Sequence, residues 1–261
     1  WRDLAMQFES LTRTERYTWF GTVPPMEDVT QQDLRLEGLF PFTFTIENKL
    51  YKSGIEVERS ILEDDRLAIV VPRVRQLGQE AARHPGELIF NLFTDNPNAF
   101  DAVAFFADTR TIGRSANIDN SLTGTGTTVA QLQTDLASAR AAMRKFQDDQ
   151  GRAMNNVGNV IVVPAEREQP MYQALNANQG TITQPVVPAT ADGVTRQVGY
   201  MIIVNPFLSD VNNWFLLHTR GVLKPFIYQT RTPPALEGIT SPNTESGVIR
   251  DRFVYSARAR Y

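Results

Sequence analysis

The chain has 261 residues, of which 42% are hydrophobic and 21% are charged, and its formal net charge at pH 7 is -3. This length allows one large domain or two small ones with a core of normal size. The small acidic excess argues against a chain that binds polyanions through its overall charge. The absence of cysteine excludes disulfides, thiolate zinc sites and cysteine nucleophiles. No run of ~18 apolar residues occurs and no signal peptide is visible, so no membrane-spanning segment is predicted.

The N-terminal segment carries apolar residues at helical spacing. Residues 2 to 11 are therefore predicted to form a short amphipathic helix, either as an extended arm or packed on its own domain. Residues 15 to 26 are aromatic and then turn-rich, which predicts an extended segment that ends in a turn. The apolar face of the predicted helix consists of Trp1, Leu4, Phe8 and Leu11.

Alternating apolar residues predict strands in the next stretch. Phe40, Phe42, Phe44 and Ile46 fall at every second position, and the alternation resumes over residues 51 to 57. The polar residues between the two runs interrupt the pattern, so residues 40 to 57 are predicted to form a long hairpin. An extended hairpin needs a surface to lie on, and no other stretch of the sequence is an obvious cover for it.

A long helix is predicted after the hairpin, with a break inside it. Its apolar positions recur at steps typical of one helix face, Pro72 suits its first turn, and the proline of His84-Pro85 should kink or split it. The apolar positions are Val74, Leu77, Ala81, Leu88 and Leu92.

An acidic triplet, Glu63, Asp64 and Asp65, precedes this helix. Paired carboxylates suit a metal site or a glycosidase, but no glycine-punctuated calcium loop surrounds them. We favour an acidic cluster at a helix N-terminus, or ion pairs with Arg59 and Arg66.

Residues 94 to 127 are rich in loop residues, and a second helix follows them. Thr128 and Gln131 form a capping-box pattern at its start, and Gly151 is placed to end it. The glycine-rich residues 124 to 126 could cradle an anion, but the lysine of a P-loop is missing, so a plain helix cap is favoured. The apolar stripe of this helix is Val129, Leu132, Leu136, Ala139, Met143 and Phe146.

The C-terminal half predicts a small α/β domain. His218 lies close in sequence to Ser209 and Asp210, but a catalytic triad is defined by geometry and not by three common residue types. The domain combines strands over 159 to 164, 199 to 206, 213 to 218 and 224 to 229, a short helix over 166 to 176, and loops over 177 to 197 and 230 to 247.

The last stretch alternates as a half-buried strand with one basic face. That face is either solvated or binds an acidic partner, which would be another subunit or nucleic acid. Asp251, Phe253, Tyr255, Ala257 and Ala259 form one face, and Arg250, Arg252, Arg258 and Arg260 form the other.

The chain resembles the Mu-like phage major head subunit (gpT) family over nearly its whole length. The most specific part is ENKLYKSGIEVERSILEDDRLAIVVPRVRQLGQEAARHPGELIFNLF at 47 to 93. The other matching pieces, in the same order and spacing, are ERYTWFG at 15 to 21, the FF of DAVAFF at 101 to 106, GRAMNNVGNVIVVP at 151 to 164, and NNWFLLH with the following FIYQTRTPP at 212 to 234.

The resemblance implies an α+β protein with the tailed-phage major capsid fold of the Hong Kong phage type. It implies an N-terminal arm at 1–32, an extended-loop hairpin at 33–60, a peripheral domain with a spine helix at 61–124, an axial domain at 125–222, and a return to the peripheral domain at 223–261.

The function that the resemblance implies is structural. A major capsid protein would assemble with itself, as hexamers and pentamers, into the icosahedral shell of a virion around double-stranded DNA, in the host cytoplasm. Scaffold, portal and decoration proteins are further candidate partners, DNA contact would be non-specific, and no membrane, catalytic residue, metal or cofactor is implied. The residues that we expect at contacts between subunits are Phe42, Phe44, Lys49, Lys52, Arg59, Asp64 and Asp65, with Arg250, Arg252, Arg258 and Arg260 as an inner or interface face.

Two alternatives remain open at this level. One is a hydrolase on the α/β domain that uses His218 or the Asp64-Asp65 pair. The other is a phage structural adaptor that does not assemble into shells.

Overall fold

The computed structural model describes residues 1–22, 41–63, 67–176, 199–221, 223–239, 248 and 251–261. The helices are α1 (Arg59–Glu63), α2 (Leu67–Asp95), α3 (Val129–Lys145) and α4 (Glu168–Asn176), with a short 3-10 turn at Ala165–Arg167. The strands are β1 (Ala5–Glu9), β2 (Thr14–Phe20), β3 (Pro41–Glu47), β4 (Leu50–Glu58), β5 (Val160–Val163), β6 (Met201–Val204), β7 (Phe215–Leu217), β8 (Phe226–Thr230), β9 (Thr232–Ile239) and β10 (Arg252–Arg260).

Two compact units are built from discontinuous parts of the chain. Unit 1 comprises Trp1–Glu15, Thr45–Ile89 and Phe226–Tyr261, and unit 2 comprises Arg16–Phe44 and Phe90–Pro225. The segment boundaries that the family resemblance implies are finer than this division and stay a prediction.

The N-terminal helix prediction was wrong, because residues 5 to 9 form a strand. β1 pairs in parallel with β8, with Ala5 opposite Phe226 and Glu9 opposite Thr230. Of the predicted apolar face, Leu4 is fully buried, whereas Phe8 is 36% exposed and Leu11 is 88% exposed. These residues therefore do not share one buried face, and the backbone hydrogen bonds of β1 are made with β8 instead.

The predicted hairpin was also wrong, although both of its strands exist. β3 pairs with β2, and β4 pairs with β10. The chain changes partner between them: the Asn48 N–H donates to the Arg13 carbonyl at 2.9 Å, and the Lys49 N–H donates to the Tyr261 carbonyl at 2.8 Å. Alternation predicts a strand but not its neighbour, so it could not reveal this switch.

β2 and β3 form a two-stranded ribbon. The Arg13 carbonyl accepts from Asn48 at one end, and the Trp19 and Phe42 rings lie 6.0 Å apart at the other. These contacts join the start of β2 to the end of β3, so the strands are antiparallel. Residues 23–40, including Phe40, lie outside the described residues.

A three-stranded antiparallel sheet, β4–β10–β9, forms the larger sheet of unit 1. Leu236 of β9 lies opposite Ala257 of β10, and a Cβ added at Gly78 of α2 would lie 2.9 Å from Leu236 Cδ1. The face with Ala257 is therefore covered by α2, and the basic residues of β10 point away from it.

The prediction of a loop over 230 to 247 was wrong for residues 232 to 239, which form β9. Pro233 and Pro234 are tolerated because β9 is an edge strand of the described sheet. Proline has no N–H to donate, and an edge strand has a neighbour on one side only, so the loss costs less than in a central strand. The register with β10 shifts between Arg258 and Arg260, beside these prolines.

α2 runs unbroken through Pro72 and Pro85, so the helix is not split at His84-Pro85, where a kink or a split was predicted. Pro85 removes one helix hydrogen bond, but Pro85 and Gly86 are both buried. Packing on this stretch of the helix offsets the lost bond, and His84 faces other aromatic rings rather than solvent.

Unit 2 contains the sheet β6–β5–β7, with β5 in the centre, parallel to β6 and antiparallel to β7. All four β5 residues are buried. The predicted capping box is confirmed, since the Thr128 side chain accepts from the Gln131 N–H and the Gln131 side chain accepts from the Thr128 N–H. α3 and α4 pack on β5 through Leu132, Leu136, Ile161, Val163, Met171 and Ala174.

Candidate functional site

The basic face of β10 divides into two ends. At the first end, Arg252 binds Glu56 at 2.9 Å and lies 3.8 Å from Glu58, both on the neighbouring strand β4. The hydrogen bond and the charge of Glu56 raise the pKa of the Arg252 guanidinium above its ordinary value. This end is an ordinary exposed ion-pair cluster, and the sequence alone could not show it because the register was unknown.

At the second end the cations form no ion pair with a carboxylate of the described residues. Arg258 lies directly opposite Lys52, and like charges at opposed positions of a sheet repel. The Nε atoms of Arg258 and Arg260 are shielded from solvent and make no hydrogen bond to any described residue. We call this group the cationic end; it consists of Lys52, Arg258 and Arg260. Arg250 lies outside the described residues.

The ribbon presents half-buried aromatic rings. Phe42 and Phe44 are both of intermediate exposure. The Phe42 ring lies 5.2 Å from Phe100, which is also 5.2 Å from Trp19. Phe100 packs edge-on against both other rings within unit 2, so Phe42 has neighbours inside its own chain and still keeps part of its surface in solvent.

Two other predicted contact residues lie at the margin of the β4–β10–β9 sheet. The Lys49 side chain is exposed, while its backbone exchanges two hydrogen bonds with Tyr261, at 2.8 and 3.2 Å. The Arg59 N–H donates to the Asp251 carbonyl at 3.0 Å, and its guanidinium lies 4.0 Å from the Asp251 carboxylate. Asp64 and Asp65 lie outside the described residues.

The sequence did not reveal an aromatic cluster that joins five separate parts of unit 1. The Tyr51 and Tyr261 rings stack at 5.0 Å, and His84 of α2 lies 4.6 Å from Tyr51. Tyr228 contacts Tyr261 at 5.5 Å and Trp1 at 5.0 Å. A Cβ added at Gly86 would lie 2.7 Å from Trp1 Cδ1, so glycine at this position of α2 makes room for the indole.

Asn48 is a second residue whose role the sequence concealed. Its side-chain amide is buried and donates to the Ser10 hydroxyl at 2.7 Å and to the Thr12 carbonyl at 2.8 Å. Because Asn48 lies where the chain changes partner from β2 to β10, this amide fixes the turn between β1 and β2 against the base of the ribbon.

The residues proposed for catalysis have structural roles in the described part of the chain. The His218 Nδ1 bonds to the Val157 carbonyl at 2.6 Å, which occupies the position that a triad carboxylate needs. Asp210 accepts the Asn212 N–H at 2.9 Å within a turn. The hydrolase alternative therefore has no assembled site at His218.

The glycine-rich residues 124 to 126, where a helix cap was favoured over an anion cradle, bind a carboxylate of the protein itself. The Thr125 N–H donates to Asp135 at 3.0 Å, and the Thr125 hydroxyl donates to it at 2.8 Å. Within the described ranges, no three His, Asp or Glu side chains come together as metal ligands. No helix there is long and apolar enough to span a bilayer.

Solved structures share this fold. The bacteriophage JBD30 capsid protein matches with a TM-score of 0.59 and 17% identity, over 78% of this chain and 89% of that one. A protein from Microbacterium phage Oxtober96 matches with a TM-score of 0.58 and 13% identity, over 99% of this chain and 82% of that one. The expected α+β tailed-phage capsid fold is confirmed.

Curated relatives agree with the structural match. The Mu-like prophage FluMu major head subunit of Haemophilus influenzae is 23% identical over 260 residues, which is 99% of this chain and 60% of the relative. The major capsid protein of Escherichia phage Mu is 31% identical over 112 residues, which is 41% of this chain and 35% of the relative. This chain thus aligns with only part of each relative's length.

A sequence model of one family matches residues 1–132 and 201–261. These two stretches contain the ribbon, α2, the sheet β4–β10–β9 and the aromatic cluster. The chain belongs to the family of the Mu-like prophage major head subunit gpT.

Proposed function

We propose that this chain is the shell-forming subunit of a phage or prophage head. Copies of it associate as hexamers and pentamers into an icosahedral shell that encloses double-stranded DNA. The observation that carries the proposal is the ribbon of β2 and β3 in a chain of this family and fold. An extended two-stranded element with half-exposed aromatic rings is marginal alone and gains stability by lying on a neighbouring surface.

Shell formation suits heterologous contacts, in which two different surfaces of one subunit meet on successive copies. Each contact can be modest, because many act together in a closed assembly. The ribbon offers one such surface, through Phe42 and Phe44, and the cationic end of β10 offers another. Lys49, Arg59, Asp64 and Asp65 are further candidates for these contacts.

The cationic end favours an acidic surface of a neighbouring copy. Lys52 and Arg258 face each other and form no ion pair with a carboxylate among the described residues, and a carboxylate from another subunit relieves their repulsion. Packaged DNA is the second candidate partner for this face. The net charge of -3 favours weak and non-specific contact with DNA over tight binding.

A shell subunit needs no catalytic residue and no cofactor, and the proposal assigns none. Scaffold, portal and decoration proteins, and assembly in the host cytoplasm before incorporation into the virion, belong to the proposal as expected features of such a head. They concern the whole protein, of which this chain covers a part of the length seen in relatives.

The test is negative-stain electron microscopy of the purified chain, with size-exclusion chromatography over a range of protein and salt concentrations. The proposal predicts rings, hexamer-like capsomers or shells that share one subunit repeat. A discrete small oligomer that never forms rings would favour the adaptor alternative, and a monomer at every concentration would contradict the proposal.

A further inference from the structure

A buried carboxylate holds the ribbon against the rest of unit 2, at the end of the ribbon away from Asn48. Asp149 is only 5% exposed, and its Oδ1 accepts from the Thr22 N–H at 2.9 Å. Its Oδ2 lies against Gly21, where an added Cβ would clash with it. Glycine at position 21 therefore lets the carboxylate reach the backbone directly after β2. We call Asp149, Gly21 and Thr22 the ribbon clasp.

The turn that carries Asp149 is held without help from the Asp149 side chain. The neighbouring Asp148 carboxylate accepts from the backbone N–H groups of Gln150 and Arg152, at 3.0 and 2.8 Å, and pairs with the Arg152 guanidinium at 3.0 Å. The Asp149 carbonyl accepts from the Arg114 N–H at 2.8 Å. A change of the Asp149 side chain should therefore release the ribbon and leave the turn folded.

Aromatic packing holds the same end of the ribbon beside the clasp. The Phe42 ring lies next to Gly21, 3.2 Å from an added Cβ, and both Phe42 and Trp19 pack edge-on against Phe100. Phe100 belongs to a loop that the buried Arg110 fixes, because its guanidinium donates to three carbonyls of the loop at 2.7 to 3.2 Å. Two fixed loops therefore orient the ribbon, one through packing and one through a hydrogen bond.

The same arrangement occurs a second time in unit 2, away from the ribbon. Asp135 of α3 is 8% exposed and accepts from the Thr125 N–H at 3.0 Å. It lies against Gly124, where an added Cβ would be 3.1 Å from its Oδ2. Each arrangement combines a buried aspartate with a Gly-Thr pair, but Asp135 holds the loop before α3, whereas Asp149 holds the ribbon. Asp135 therefore offers a matched control for Asp149.

Building on the proposed function, we infer that Asp149 is a positioning residue for assembly. It holds the clasped end of the ribbon on unit 2 before copies associate, so that the half-exposed rings of Phe42 and Phe44 meet the next copy in one orientation. A ribbon that is ordered in advance loses less conformational freedom on contact than a mobile one, so association is tighter for the same contact area. The partner is a second copy of this chain.

The experiment loosens the clasp and follows the ribbon and the assembly separately. Asp149→Ala removes the acceptor, Asp149→Asn keeps an acceptor oxygen, and Gly21→Ala displaces the carboxylate from the other side. Asp135→Ala is the control. Hydrogen–deuterium exchange, below the concentration at which the chain assembles, measures the protection of the amides of residues 14–22. Sedimentation velocity and negative-stain microscopy measure the protein concentration that rings or shells require, and thermal melting verifies that each variant is folded.

We expect Asp149→Ala and Gly21→Ala to speed the exchange of the ribbon amides, and to raise the concentration needed for assembly, by about tenfold or more, the factor that corresponds to a hydrogen bond with a charged acceptor. Asp149→Asn should stay within about threefold of the original chain, because its side-chain oxygen still accepts from Thr22. Asp135→Ala should speed exchange in the loop before α3 and leave the ribbon and the assembly unchanged. If Asp149→Ala is unfolded, Gly21→Ala alone decides the test.

The outcomes separate this inference from the proposed function. An original chain that forms no ring or shell overturns the proposed function, and the inference with it. Faster ribbon exchange in Asp149→Ala with an unchanged concentration for assembly overturns the inference alone, because the clasp would then only stabilise the subunit. Equal losses of assembly in Asp149→Ala and Asp135→Ala would assign the effect to the stability of unit 2, which also overturns the inference.

Discussion

His84 of α2 and Tyr261, which follows the last strand, are joined by a hydrogen bond between the imidazole Nδ1 and the phenol hydroxyl. The two residues are 177 positions apart in sequence. The bond ties the middle of the long helix to the end of the three-stranded sheet, at the point where Tyr261 also pairs with the Lys49 backbone.

Removing this hydroxyl should destabilise unit 1. Tyr261→Phe leaves the His84 nitrogen without its partner at a half-buried site, and we expect a loss of about 1–2 kcal/mol of unfolding free energy, measured by urea denaturation. Tyr255→Phe on the same sheet is the control, because Tyr255 makes no hydrogen bond through its hydroxyl among the described residues, and it should change stability by less than about 0.5 kcal/mol. Equal effects of the two changes would contradict the role of the His84 bond.

Because of Tyr261, we expect the free energy of unfolding to fall at alkaline pH. Burial, and then the neighbouring Tyr228 and Tyr51, raise the pKa of Tyr261 well above its ordinary value. Its contribution to stability is therefore complete below the unfolded-state pKa of about 10 and is lost as the pH rises from there toward the folded-state pKa. Urea midpoints measured from pH 8 to 11 should fall above pH 10, and they should fall less steeply in Tyr261→Phe. An identical pH profile in the two proteins would show that Tyr261 is not the group responsible.

Arg258→Glu should change the stability of the isolated subunit and its assembly in opposite directions. The change places a carboxylate opposite Lys52, so the isolated subunit should gain about 0.2–1 kcal/mol from the new cross-strand pair. The same change removes a charge from the cationic end, so assembly should weaken. Sedimentation velocity and urea denaturation on one preparation measure both effects.

Arg252→Glu is the counterpart on the same strand face. It sets like charges beside Glu56 and Glu58, so it should lower subunit stability by a similar small amount. An Arg258→Glu chain that assembles as readily as the original would exclude the cationic end from the contacts between subunits.

The capping box of α3 gives a prediction that is independent of assembly. Thr128→Ala removes the side-chain acceptor for the Gln131 N–H and should cost about 1 kcal/mol. Thr134→Ala within the same helix is the control: Thr134 is exposed and its hydroxyl bonds only to the Ala130 carbonyl one turn back, so alanine should be neutral or slightly stabilising there. Thermal melting of the two variants checks both expectations, and a Thr134→Ala loss as large as that of Thr128→Ala would contradict them.

The sequence predicted elements better than it predicted their partners. The alternation of β3, β4 and β10 and the apolar stripe of α3 identified those elements, because one face of each is less exposed than the other. The pairing of β4 with β10 rather than β3 depends on a change of partner at Asn48 and Lys49, and no local pattern encodes it. For the same reason, the N-terminal strand was taken for a helix: its partner β8 is more than 200 residues away.

For the candidate site, too, the sequence predicted which residues share a face but not which residues are their partners. The basic face of β10 was visible in the sequence, but its separation into a paired end and a cationic end required the register that brings Glu56 to Arg252 and Lys52 to Arg258. The sequence predicted a kink or a split of the long helix at His84-Pro85, because a proline inside a helix normally interrupts it. The structure instead shows a helix that continues through Pro85, with the His84 ring packed against the ring of Tyr261.

The central claim is that copies of this chain associate through the ribbon. The most direct measurement is mass photometry of the original chain beside a variant in which residues 16–44 are replaced by a short Gly-Ser linker. The linker is feasible because Arg13 and Asn48 are hydrogen-bonded at the base of the ribbon, and thermal melting verifies that the remainder is folded. We expect rings or larger particles for the original chain and folded monomers for the variant. Assembly of equal size and yield in both proteins would contradict it.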